Sequence, residues 1–153
     1  MRSSTRPQIG PIFEAAYRWS VAFILTITAS LKLISLGGTT PIMAQADAVL
    51  GVSNRSVLLG AALIELAVAV FLILDCRTEL RCYLTAWLAS VFAVYRIALS
   101  WVAPANPCPC LGSLVERLPV SPDTLDLLLK LVIGYLLAGS IFLLVRKHVS
   151  RFS

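Results

Sequence analysis

The apolar residues of this chain are concentrated in four long runs, and all of its prolines lie outside them. Each run approaches the roughly 20 apolar residues that a helix needs to cross a bilayer. Since lipid offers no partner to backbone polar groups, uninterrupted runs of this length predict transmembrane helices. The predicted spans are Tyr17–Leu36, Ser56–Leu74, Leu80–Ala103 and Leu125–Val145.

The overall composition supports this interpretation and argues against several classes of protein. Of the 153 residues, 58% are apolar and 14% are charged, whereas soluble domains contain about 45–50% apolar and about 25% charged residues. The mean hydropathy is +0.86. A soluble enzyme, a disordered tail and a nucleic-acid-binding domain are poor fits, despite a formal net charge of +5. We expect an all-α polytopic membrane protein that folds as a four-transmembrane-helix bundle.

Capping residues indicate where some segments begin and end. Ser121, Pro122 and Asp123 have the order of an N-cap, a first-turn proline and a first-turn acid, so the fourth helix is predicted to open there. Pro41–Leu50 is predicted to be a short amphipathic stretch that Gly51 can terminate.

Basic residues outside the spans predict the orientation, because cytoplasmic loops carry an excess of lysine and arginine. The first loop contains only Arg55 and the third only Arg117. Both termini are therefore predicted to be cytoplasmic, in a bacterial inner membrane. The eight basic residues that share the inner side are Arg2, Arg6, Arg18, Arg77, Arg81, Arg146, Lys147 and Arg151.

A cleaved signal peptide is a competing interpretation of the amino-terminal segment. Ala44-Gln45-Ala46 has the small-residue pattern of a signal-peptidase site. It lies far beyond the end of the first apolar run, which is long and is interrupted by Lys32. We therefore expect the segment to be retained as the first span.

The four cysteines form two pairs that are predicted to lie on opposite sides of the membrane. Cys108 and Cys110 fall in the outer third loop, in the compartment where disulfides persist. A disulfide between cysteines one residue apart closes a very small ring, carries strain and is easily reduced. Pro109 restricts the backbone, and a capping-box pattern at Ser113 predicts a helical turn that would favour the Cys110 thiolate. The pair therefore predicts thiol–disulfide exchange at the outer face.

Two other interpretations of the outer pair stay open. One is a structural clip for a proline-rich loop. The other is a metal site shared with a second subunit, although two cysteines are too few for zinc and His148 is predicted on the other side. No resident metal is expected. For Cys76 and Cys82 we expect small apolar side chains or acylation sites beside the membrane.

Ionisable residues inside the spans are candidates for function, since leaving them unpaired in lipid is costly. Counting along the helices places Lys32 and Lys130 about 6–8 Å below the outer surface, where they could snorkel as interface anchors. Arg96 lies about 10 Å deep and Glu65 about 14 Å deep. Glu65 and Arg96 are predicted to pair across the second and third helices, either as a structural tie or with Glu65 moving a proton while the cations stabilise an anion such as a thiolate or a reduced quinone.

Small residues offer sites where helices could pack closely. One group is Gly60-Ala61-Ala62 in the second span, and the other runs from Gly134 to Ser140 in the fourth. Tyr95 is expected on a different helix face from Arg96, in the core.

These motifs together resemble the MauE family, the methylamine-utilisation integral membrane proteins related to DoxX-like proteins. The resemblance covers about residues 17–145. Where the family usually has a glycine between the two cysteines, this chain has Pro109, and where the family usually has a phenylalanine, this chain has Leu111. The motifs that carry the resemblance are Ala29-Ser30-Leu31-Lys32-Leu33, Ile64-Glu65-Leu66, Tyr95-Arg96 and Cys108-Pro109-Cys110-Leu111-Gly112.

The resemblance implies one membrane domain over residues 1–153. MauE proteins are associated with making periplasmic methylamine dehydrogenase, whose small subunit is rich in disulfides, and they work beside a thioredoxin-like partner. Related DoxX-like proteins are linked to thiosulfate:quinone oxidoreduction.

The resulting hypothesis is a membrane redox component that exchanges thiol–disulfide equivalents with a periplasmic thioredoxin-like partner or a disulfide-rich client. Cys108 and Cys110 would carry the redox couple, with Glu65 and Arg96 as further catalytic candidates. Lys32 and Arg96 would bind a quinone-like acceptor. The alternative is a non-enzymatic assembly factor whose intramembrane charges are structural. A small-solute carrier is less well supported, since no repeat or broken span is evident, although a homo-oligomer could supply more helices.

Overall fold

Four long helices and one short one make up the computed structural model, which describes residues 9–38, 41–74, 77–102 and 122–152. All four long helices are long and apolar enough to cross a membrane. The prediction of an all-α, four-transmembrane-helix bundle is therefore confirmed, and the chain is a multi-pass membrane protein. The helices are α1 (Ile9–Leu36), α2 (Pro41–Ala44), α3 (Asn54–Leu74), α4 (Thr78–Val102) and α5 (Pro122–Phe152).

The helix bounds follow the predicted spans and extend beyond them at the two chain termini. Helix α5 begins at Pro122, as the capping pattern predicts, but continues to Phe152. Helix α1 begins at Ile9, eight residues before the predicted span. Pro11 is tolerated there because the first helical turn has no internal partner for its missing N–H. Hydropathy marks only the apolar part of each helix, while the helical backbone continues until a residue breaks it.

The helices pack mainly as two pairs, α1 with α3 and α4 with α5, with fewer contacts between the pairs. The buried core runs through both pairs and includes Val21, Leu25, Leu88 and Leu136. Large apolar side chains are nevertheless exposed along every span, with Trp101 84% exposed as an extreme case. An apolar surface of this extent indicates contact with lipid.

Helix α2 covers only the first part of the amphipathic stretch Pro41–Leu50 that the sequence predicts. The helix ends at Ala44, and the chain then forms a compact turn in which the Asp47 amide donates to the Val52 carbonyl at 2.7 Å. The Asp47 carboxylate accepts the amides of Val49 and Leu50 at 2.9 and 2.8 Å, so it draws these donors away from a helical ladder. Gly51 completes the turn with φ of 68°, a conformation that glycine adopts without strain.

Candidate functional site between the helix pairs

A buried ion pair joins α1 to α3. The Lys32 ammonium lies 2.6 Å from Glu65 Oε1 and 2.7 Å from Oε2, and the two side chains are 9% and 3% exposed. Thr28, one turn before Lys32 on the same helix face, donates its hydroxyl to Glu65 Oε2 at 3.1 Å. The Phe92 ring of α4 lies 5.7 Å from the ammonium nitrogen. Pairing and hydrogen bonding offset part of the cost of placing these two groups away from water.

This arrangement corrects two sequence predictions. Glu65 pairs with Lys32 and not with Arg96, because its helix face contacts α1. Lys32 is also not an interface anchor, since its side chain is directed into the bundle and is almost fully buried. Hydropathy gives the depth of a residue in a span, but the rotation of each helix about its axis depends on tertiary packing.

Arg96 forms its ion pair with Asp126, and this pair links α4 to α5. The Arg96 side chain is 13% exposed. Asp126 also receives the Lys130 ammonium at 2.7 Å, one helical turn along α5. Lys130 is 66% exposed, which agrees with the surface position predicted for it.

Asp47 is a buried acidic residue that sequence reasoning did not single out. It is 3% exposed, and its Oδ2 accepts a short hydrogen bond from the Tyr95 hydroxyl. Tyr95 is therefore not simple core, because it ties α4 to the turn after α2. Aspartate commonly accepts hydrogen bonds from backbone amides just after it in a turn, so an aspartate shortly before Gly51 was the available sequence signal.

An apolar cleft of about 840 Å³ lies between these polar groups. Its walls come from α1, α3, α4, α5 and the turn after α2, and α3 contributes the small residues Gly60 and Ala61. Lys32, Glu65, Tyr95 and Arg96 also line it. The volume falls within the range of about 300–1,000 Å³ that is typical of small-molecule sites. The cleft can therefore hold a molecule that is mostly apolar and carries a few polar atoms.

Cys108 and Cys110, with the predicted turn at Ser113, lie outside the described residues, as does Cys76. The segment that contains the outer pair connects Val102 of α4 to Pro122 of α5. These two helix ends lie close in sequence to Arg96 and Asp126, which form an ion pair. Cys82 is 5% exposed and forms no disulfide within the described residues.

Metal ligands are not clustered in the part of the chain that the structure describes. No three histidine, cysteine, aspartate or glutamate side chains come together there. The polar residues Lys32, Glu65, Tyr95 and Arg96 that line the cleft supply hydrogen bonding and charge pairing.

No curated protein and no solved structure matches the chain. A family match covers nearly the whole bundle, from the first helix to the last. The family described as methylamine utilisation protein MauE matches residues 11–145. The match includes Lys32, Glu65 and Arg96 together with the Cys108 and Cys110 segment. The chain therefore belongs to the MauE family of methylamine utilisation proteins.

Proposed function

We propose that the protein is an inner-membrane redox component that exchanges thiol–disulfide equivalents with a periplasmic thioredoxin-like partner. Cys108 and Cys110 carry the couple, and the electrons pass to or from a membrane-soluble carrier. The process served is the maturation of a disulfide-rich periplasmic protein, for which methylamine dehydrogenase is the candidate client suggested by the family name.

The observation that supports this proposal most directly is the convergence of polar groups at one end of the bundle. The cysteine segment is bounded by Val102 and Pro122, and the pair of Arg96 with Asp126 lies close to those two ends. The ion pair of Lys32 with Glu65 borders the cleft in the same half. Ionisable groups in a membrane interior are costly and commonly mark a path for protons or a substrate.

Trapping of a mixed disulfide tests the exchange chemistry. The Cys110→Ser variant keeps Cys108 as a lone thiol, and the probe is a single-cysteine thioredoxin activated as its mixed disulfide with nitrothiobenzoate. The Cys108 thiolate attacks the thioredoxin sulfur and nitrothiobenzoate leaves, so the new mixed disulfide has no resolving thiol on either protein. We expect a trapped adduct with this variant and none with Cys108→Ser/Cys110→Ser. The matched control is Cys76→Ser/Cys82→Ser, which should exchange like the wild type. Equal exchange by the protein without outer cysteines would refute the proposal.

A second candidate function is a non-enzymatic assembly factor. The ion pair of Lys32 with Glu65 favours this alternative. The Glu65 carboxylate accepts two hydrogen bonds from the Lys32 ammonium and one from Thr28, as expected for a purely structural link between helices. Under this alternative, the double cysteine variant should support client maturation in cells as well as the wild type. Loss of maturation with normal abundance in the membrane would exclude it.

A further inference from the structure

The cleft between the helix pairs can be reached from the lipid phase. Ile64 on α3 and Val91 and Val94 on α4 line it and are also exposed on the surface of the bundle. Because these residues lie within membrane-spanning segments, a ligand that dissolves in the hydrocarbon can enter sideways without crossing water.

The polar groups that border the cleft offer donors without a surplus of charge. Two hydrogen bonds join the Lys32 ammonium to Glu65, and within the described residues its third N–H has no hydrogen-bond acceptor and can donate to a ligand. Lys32 is neutralised by Glu65, and Arg96 is held by Asp126. The site therefore favours a neutral head group with carbonyl acceptors over an anion, since a bound anion would compete with these carboxylates for the same cations.

We propose that this cleft binds the head group of an isoprenoid quinone, with Lys32 donating to a ring carbonyl and the apolar walls holding the ring and the first part of the tail. This inference rests on the proposed function, which needs a two-electron carrier in the membrane. With a quinone as the carrier, the electrons and protons of the exchange balance. The dithiol of Cys108 and Cys110 loses two electrons and two protons as its S–S bond forms, and the quinone gains two of each to become a quinol.

Glu65 is placed to move a proton in this exchange. Its carboxylate is shared by Lys32 and Thr28 and borders the same cleft, so a proton released or taken up at the ring can pass through it without entering the lipid. Glu65 is a proton carrier in this proposal, and Lys32 is the binding residue.

Tryptophan fluorescence supplies a direct test of occupancy. Trp87 lines the cleft, and quinones quench indole fluorescence. In a Trp19→Phe/Trp101→Phe background in liposomes, decylubiquinone should quench Trp87 in a saturable manner. A Trp87→Phe/Trp101→Phe protein, which keeps only Trp19, should show only linear quenching by probe dissolved in lipid. Linear quenching of both residues would overturn the proposal.

Filling the cleft should remove the saturable component while keeping the fold. A Cβ at Gly60 meets no atom within 4 Å, so Gly60→Phe can project into the open space. Gly134 is equally open but does not line the cleft, and Gly134→Phe is the matched control. We expect the apparent Kd to rise at least about tenfold for Gly60→Phe, equivalent to losing about 1.4 kcal/mol of binding, and to stay unchanged for the control. The opposite ranking would contradict the assignment.

Two further experiments distinguish a quinone site from a phospholipid site, and quinone binding from disulfide exchange. Saturable quenching of Trp87 by brominated phosphatidylcholine, in a protein that decylubiquinone quenches only linearly, would show a phospholipid site and overturn the quinone assignment. The Cys108→Ser/Cys110→Ser protein should lose disulfide exchange and keep saturable quenching. Disulfide exchange without saturable quenching would support the proposed function and rule out the quinone site. Saturable quenching in a wild-type protein that shows no exchange would support the quinone site and refute the proposed function.

Discussion

The ring of Tyr17 on α1 lies directly over Gly139 on α5, where a Cβ would come within 2.1 Å of the ring atom Cε2. The Tyr17 hydroxyl donates to the Leu136 carbonyl, one turn earlier on α5, at 2.8 Å. This contact joins the two helix pairs beside Leu136, which also lines the cleft. The ring packs against Gly139 and its hydroxyl is hydrogen-bonded, so moving the ring aside would cost free energy.

Gly139→Ala should therefore destabilise the bundle. The new methyl group overlaps a fixed aromatic ring, and overpacking of this kind costs about 1–3 kcal/mol. Thermal unfolding in detergent, followed by circular dichroism, should show a lower midpoint. Gly134→Ala is the control, because its Cβ meets no atom within 4 Å. Equal midpoints for the two variants would argue against the tight contact.

The pair of Lys32 and Glu65 should behave as one energetic unit. Lys32→Met leaves a buried carboxylate without its counter-ion, a change that costs about 3–5 kcal/mol. Lys32→Met/Glu65→Leu removes both charges and should be markedly more stable than Lys32→Met. A double-mutant cycle on unfolding midpoints measures the coupling, and additive effects would mean that the pair is not formed in the membrane.

Arg96 and Lys130 contact the same carboxylate but should contribute unequally. The Arg96 side chain is 13% exposed and the Lys130 side chain is 66% exposed. Exposed ion pairs contribute about 0–1 kcal/mol, so Lys130→Gln should change stability little, while Arg96→Gln should lower it clearly. The comparison needs only the two variants in the same detergent, and an equal or reversed ranking would contradict the burial difference.

Asp47 should order the turn that follows α2. Asp47→Ala removes the acceptor for two backbone amides and for the Tyr95 hydroxyl, whereas Tyr95→Phe removes only the last of these. Hydrogen–deuterium exchange across residues 45–53 should rise strongly in Asp47→Ala and less in Tyr95→Phe. Ser100→Ala, on an exposed part of α4, is the control and should leave this segment unchanged.

The orientation predicted from the basic residues can be tested by thiol labelling of intact cells. A membrane-impermeant maleimide should reach Cys108 and Cys110 only after mild reduction, and should not reach Cys76 in either condition. Labelling of Cys76 in sealed cells would reverse the predicted topology. Labelling of the outer pair without reduction would indicate free thiols and weaken the exchange hypothesis.

The sequence by itself determined the number, type and approximate bounds of the four spanning helices. A bilayer requires about 20 apolar residues per helix and internal hydrogen bonding, and both requirements are local properties of the chain. The opening of α5 at Pro122 was predictable for the same reason. The family and the candidate residues Lys32, Glu65 and Arg96 also came from local motifs.

Only the tertiary structure decided which of these charges meet. The pairing of Glu65 with Lys32, the contact of Arg96 with Asp126 and the bond from Tyr95 to Asp47 depend on how each helix is rotated and which neighbour it packs against. These choices are set by side-chain packing between residues far apart in the chain, which a hydropathy pattern does not contain. The cleft arises in the same way, because small residues such as Gly60 leave space only where the opposing helix stands away from them, whereas Gly139 is closed by Tyr17.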